Sequence, residues 1–138
     1  VITAVDTNVL LDVFSADPTH GPASREALES GLERGTLVVS DVVWAETAAA
    51  FPARDAAEAA LDTVGVEFAA TGREAAGTAA QAWRVYRSAG GPRTRVVADF
   101  LIGAHAVVQA DRLLTRDRGF YRRYFTGLEI VDPSGARR

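Results

Sequence analysis

The stretch Val1-Ile2-Thr3-Ala4-Val5-Asp6-Thr7-Asn8 decides the fold. Its short, β-branched and uncharged first part reads as a buried strand. An acid and two small polar residues then end the strand and can open a helix. The same alternation continues along the chain. Thr36 to Val39, Val66 to Phe68, Arg112 to Leu114 and Glu129 to Val131 read as four further strands. Between them lie helical stretches over Val9 to Phe14, Ala23 to Arg34 (closed by Gly35) and Asp55 to Val64 (stopped by Gly65). A helix through Ala50 has Ser40 and Asp41 as capping candidates. Arg73 to Ser88, anchored by Trp83 and Tyr86, Val96 to Ala110, and Phe120 to Phe125 complete the set. Strands alternating with helices predict an α/β fold, a parallel sheet covered on both faces. The ligand of such a sheet lies at the carboxyl ends of its strands. A length of 138 residues and a 48% hydrophobic composition fit one globular domain, residues 1–138.

Four carboxylates interrupt apolar runs. Asp6 ends the first strand, Glu46 follows Val42-Val43-Trp44-Ala45, Asp99 separates Val96-Val97-Ala98 from Phe100-Leu101-Ile102, and Asp117 follows Leu113-Leu114-Thr115-Arg116. Apolar neighbours predict burial or half-burial, and an unpaired buried charge is costly. Three of the acids also have a structural reading: Asp6 as a helix N-cap, Asp99 as the partner of Arg95 one helical turn away, and Asp117 as a cap or a partner of Arg116 or Arg118. Together they say more. Two like charges about 4 Å apart cost on the order of 4 kcal/mol at an effective dielectric near 20. All fifteen basic residues are arginine, so no lysine can neutralise the acids. A hard divalent cation, Mg²⁺ or Mn²⁺, prefers such oxygen ligands, and a metal-bound water is a nucleophile toward phosphodiesters.

Other chemistries fit poorly. The chain has no cysteine, which removes disulfides and sulfur-based zinc sites. Lacking lysine, it has neither a Walker P-loop nor the lysine of receiver domains and haloacid-dehalogenase phosphatases. Its two histidines, His20 in a Pro-bracketed loop and His105 between alanines on an apolar helix, do not suggest an acid–base pair. The serines occupy no nucleophile motif. The longest apolar stretch, Val96 to Ala110, is too short and polar to span a membrane. No signal peptide is visible, and the expected location is cytoplasmic.

The ordered set Val5-Asp6-Thr7-Asn8, Glu46, Ala98-Asp99-Phe100-Leu101-Ile102 and Leu114-Thr115-Arg116-Asp117 resembles the PIN-domain nucleases. More closely it resembles the VapC toxins of type II toxin–antitoxin systems, over essentially the whole chain. The resemblance implies a PIN-like three-layer α/β/α sandwich with a five-stranded parallel sheet. It implies a Mg²⁺- or Mn²⁺-dependent endoribonuclease in which Asp6, Glu46, Asp99 and Asp117 form the catalytic, metal-binding site, with Asn8 and Thr115 orienting ligands or water. It also implies a tRNA or ribosomal RNA substrate, a VapB-like antitoxin and a homodimer. A structure-specific DNA nuclease of the same superfold and a catalytically idle partner-binding module are the alternatives.

Two further sets of residues bear on partners. Residues 1–92 hold thirteen acids against six arginines, whereas residues 93–138 hold five acids against nine arginines. A basic final third suits a polyanion. Arg93, Arg95, Arg116 and Arg118 are its candidate RNA contacts, since arginine binds phosphate bidentately. The run Val9-Leu10-Leu11-Asp12-Val13-Phe14 is too apolar for one helix face. Leu10, Leu11 and Phe14, extended by Leu28 and Leu32, are therefore expected to form an exposed interaction surface, and the resemblance implies a VapB-like antitoxin as its occupant.

Overall fold

The five stretches read as strands all contribute to one sheet. A computed structural model describes residues 1–135. The strands are β1 (Ile2–Val5), β2 (Thr36–Val39), β3 (Glu67–Phe68), β4 (Arg112–Leu114) and β5 (Ile130–Val131). The helices are α1 (Thr7–Phe14), α2 (Gly21–Arg34), α3 (Asp41–Ala48), α4 (Arg54–Val64), α5 (Arg73–Ser88), α6 (Val97–Gln109) and α7 (Arg118–Tyr124). All strand pairs are parallel, in the order β3-β2-β1-β4-β5. The predicted α/β/α sandwich is the observed one.

The strand order places the site. The chain builds outward from β1 through β2 to β3, then returns to the other side of β1 with β4. The crevice of such a sheet opens where the order reverses, here between β1 and β4. Val5 is in register with Leu114, and the Asp6 N–H donates to the Leu114 carbonyl at 2.9 Å. Asp6 and Thr115 thus leave the sheet side by side.

Helix ends follow local chemistry. Ser40 caps α3 by accepting the Val43 N–H at 3.2 Å. Gly65 ends α4 at φ 91°, a left-handed conformation costly for other residues. His105, on α6, is fully buried and donates from Nε2 to the Ala69 carbonyl at 2.8 Å, a packed histidine that joins α6 to the segment after β3.

The core corrects the expectation for the apolar run of α1. Val9 and Leu10 are wholly buried, as is Leu28 of α2. Leu10 and Leu28 therefore belong to the domain's own core and offer nothing to a partner. Leu11 and Phe14 stay half-buried, and Leu32 is exposed. The physical reason is that α1 is covered by both α2 and α3, so most of its circumference faces protein.

Candidate functional site

Asp6 is the N-cap of α1 and the most buried of the four acids, 5% exposed. Its Oδ1 accepts the Thr7 N–H at 2.7 Å, and its Oδ2 accepts the Thr115 hydroxyl at 2.7 Å. Asn8 spans the gap between them, its amide donating to Asp6 and to Thr115 at 3.4 Å each and its Oδ1 accepting the Arg116 N–H at 3.2 Å. Asn8 and Thr115 thus hold the Asp6 carboxylate, while the Thr115 oxygen also accepts the Asp117 N–H at 3.0 Å. Burial raises the Asp6 pKa from 3.8 to about 6; hydrogen bonds from Thr115, Thr7 and Tyr121 oppose the rise, and the charge of Glu46 adds to it.

Glu46 lies beside Asp6, its carboxylate accepting the Thr7 hydroxyl at 2.6 Å. It is exposed, contrary to the burial its apolar neighbours suggested. Ala45 and Ala49 share the solvent side of α3 with it, so small apolar neighbours there do not signify a core. Asp99 and Asp117 are half-buried as expected. Asp99, in the first turn of α6, accepts the Val96 N–H at 3.0 Å. Asp117 precedes α7 and pairs with neither neighbouring arginine. Its partner is Arg95, whose Nη1 lies 2.5 Å from Asp117 and 3.9 Å from Asp99. The Arg95 guanidinium also lies 4.2 Å over the Phe120 ring.

A cluster of rings fixes these acids relative to one another. Phe100, wholly buried and next to Asp99, packs against Phe120 at 5.1 Å, Tyr86 at 5.3 Å and Tyr124 at 6.0 Å between centroids. It locks α5, α6 and α7 together. Tyr121, buried in α7, hydrogen-bonds Asp6. Burial, then the negative charges of Asp6, Asp99 and Asp117, push its hydroxyl pKa well up, so it remains a neutral donor. One hydroxyl thus feels three of the four acids, and Glu46 adjoins the first of them.

The donor set is all oxygen, which suits a hard cation. A metal charge in this site would also relieve the buried Asp6. Among the described residues, however, no group of three acids or histidines is arranged to hold a metal ion. Arg95 supplies the positive charge between Asp99 and Asp117.

The other basic candidates divide. Arg93 is exposed and has no ion-pair partner among the described residues, and Arg118 lies loosely 3.7 Å from Asp132. Arg116 is engaged elsewhere: its Nε and Nη2 grip both oxygens of buried Asp12 at 2.7 and 2.9 Å, and Ser24 donates to Asp12 at 2.8 Å. The fork ties β4 to α1 and α2 and takes Arg116 off the list of free phosphate contacts. Arg116→Gln is expected to cost about 2 kcal/mol of stability, since it leaves a buried carboxylate half-satisfied. Urea unfolding checks this, and any RNA binding should keep its salt dependence in the variant.

Asp12, Thr7 and Tyr121 escaped the sequence reading. Asp12 carried the same signal as Asp99, a lone acid in an apolar run, here Leu10-Leu11-Asp12-Val13. Tyr121 lies in an aromatic segment whose buried face could not be told from its exposed one. Thr7 had no distinguishing signal.

The fold and site define an α/β/α domain with an all-oxygen acidic site at the sheet's switch point. The chain belongs to the PIN-domain family, whose model matches residues 3–126. No curated protein matches the sequence. Among solved structures, a chain of Rickettsia felis VapBC2 bound to a promoter DNA fragment is similar, with a TM-score of 0.76, 18% identity and coverage of 96% of this chain and 98% of that one. VapBC-1 of nontypeable Haemophilus influenzae gives 0.73 and 17%, covering 97% and 99%. DNA-bound VapBC of Salmonella typhimurium gives 0.73 and 20%, covering 96% and 98%. At these identities the likeness is one of fold.

Proposed function

We propose that the chain is a metal-dependent endoribonuclease of the VapC kind, held in check by a VapB-like antitoxin in the cytoplasm. The observation that carries the reading is the buried Asp6 carboxylate held by the Thr115 hydroxyl, with Glu46 hydrogen-bonded to the next residue, Thr7, and Asp99 and Asp117 joined through Arg95. Asp6, Asp99 and Glu46 would hold Mg²⁺ or Mn²⁺ directly or through water, with Asp117 as a further ligand or its water-bridged neighbour. A bound ion of this type acidifies a water and offsets charge on the attacked phosphate. Thr115 and Asn8 keep Asp6 facing the crevice, and Thr7 orients Glu46. Arg93 and Arg118 meet phosphates, and Arg95 joins them when it leaves Asp117; such contacts position RNA without selecting sequence. A tRNA or ribosomal RNA loop is the substrate this reading favours.

The similar solved structures are VapBC complexes, which supports a VapB-like partner here. Leu11, Phe14 and Leu32 are the accessible part of the surface first assigned to it. A homodimer belongs to the same proposal. No helix among the described residues is long and apolar enough to cross a membrane. The test is cleavage of a labelled RNA and of the DNA of the same sequence with Mn²⁺. RNA cleavage alone is expected. DNA cleavage alone would favour the structure-specific DNA nuclease, and cleavage of neither would favour the idle binding module.

A further inference from the structure

A cleft of about 680 Å³ lies between α5 and the segment leading into α6. We propose that it is a nucleobase site, taking one unpaired base of a single-stranded RNA segment whose phosphate runs to the acidic crevice. The proposal rests on the ribonuclease reading and names the form of its substrate. The volume falls within the range of small-ligand sites, about 300–1,000 Å³.

Its lining suits a base with its phosphates. Trp83 and Arg87 come from α5, Arg93 and Arg95 from the segment before α6, and Val96 and Val97 from the start of α6. Three arginines and no acid line it. Val96 and Val97 are 55% and 41% exposed, apolar surface that the core does not use. The Arg87 guanidinium already lies 5.4 Å from the centre of the Trp83 ring, so the indole accepts a flat cationic group. A base can take that place, and Arg87, which is exposed and otherwise unpaired among the described residues, can move onto a phosphate. Aromatic stacking with arginines along the backbone is how single strands are held without sequence selection.

The cleft is preformed. The Tyr86 hydroxyl donates to the Pro92 carbonyl, and the Gly91 N–H donates to the Tyr86 carbonyl at 2.9 Å. A Cβ at Gly91 would run into the Tyr86 ring, so only glycine lets the loop close so tightly. The cleft is also continuous with the acids. Arg95 lines it and bonds Asp117, and the Val96 N–H on its rim bonds Asp99. A strand with a base beside Trp83 would pass its phosphate along Arg95 to Asp99 and Asp117.

The experiment measures anisotropy of a 5′-fluorescein-labelled single-stranded oligoribonucleotide with the full chain, in excess chelator so that nothing is cut. Trp83→Ala is expected to weaken binding about ten-fold, the loss of one base–aromatic stack. Trp83→Phe should keep most of the affinity, and Arg87→Gln should weaken binding and lower its salt dependence. A duplex of the same sequence should bind independently of Trp83. Because Trp83 packs near Phe100, circular dichroism accompanies each variant, and Arg87→Gln, on an exposed side chain, gives the answer if Trp83→Ala fails to fold. Wild-type affinity in both Trp83→Ala and Arg87→Gln would overturn the proposal. A change of oligomeric mass with unchanged RNA affinity would overturn it too, making the cleft a protein interface. Metal-dependent cleavage with Trp83-independent binding defeats the base site alone. Trp83-dependent binding without any cleavage defeats only the nuclease reading.

Discussion

Asp6→Asn is expected to make the metal-free protein more stable at neutral pH while removing its nuclease activity altogether. The folded pKa of Asp6 is about 6 against an ordinary 3.8, raised first by burial. A group with a raised folded pKa contributes its full stability below the unfolded value, and that contribution is lost as pH rises through the folded one. Above about pH 7 the buried charge therefore costs on the order of 3 kcal/mol in the absence of a cation. The asparagine carries no charge, so the gain approaches that figure at pH 8, less whatever the Thr115 hydroxyl loses as a donor. It should vanish near pH 4, where Asp6 is protonated. Asp17, held below its ordinary pKa by the backbone N–H groups of His20 and Thr19, loses its own contribution at still lower pH, equally in both proteins. Urea unfolding at pH 8, 6 and 4 in chelator reads the difference. A wild type more stable than the variant at pH 8 would mean that Asp6 is not the charged, buried group described.

Leu10→Ser is expected to cost about 4 kcal/mol, a large part of the 5–15 kcal/mol typical of a whole domain. Leu10 has no exposed surface, so the change leaves a cavity and buries a hydroxyl without a partner. Leu11→Ser, at a half-buried position, should cost about 1 kcal/mol. Thermal melts of the two variants give the contrast. Equal and small losses would show that α1 is not docked by Leu10.

These leucines show where the sequence stops being informative. A run such as Leu10-Leu11 says that apolar surface must be covered, but not whether by the chain itself or by a partner. The answer depends on α2 and α3, which no local pattern brings to α1. The strands were legible because β-branched runs such as Val1–Val5 alternate with helices bounded by Gly35 and Gly65. The acids were legible because lone charges in apolar runs are rare. That signal speaks of an environment, not of a role, and so it fitted Asp12, a structural partner of Arg116, as well as Asp99. It misjudged the burial of Glu46, which depends on how α3 is rotated. Arg95 was seen as a partner of Asp99 one turn away. Its shorter contact, with Asp117, crosses between elements far apart in sequence and had no local trace.

The most direct test of the acidic site as a metal-dependent nuclease centre is the cleavage rate of a labelled single-stranded RNA as a function of Mn²⁺ concentration, for the wild type and Asp99→Asn. The wild type should cut in proportion to metal occupancy and stop in excess chelator. Asp99→Asn, its fold verified by circular dichroism, should lose at least three orders of magnitude, on the order of 4 kcal/mol of transition-state stabilisation. Undiminished cleavage by Asp99→Asn, or by the wild type in excess chelator, would contradict the account.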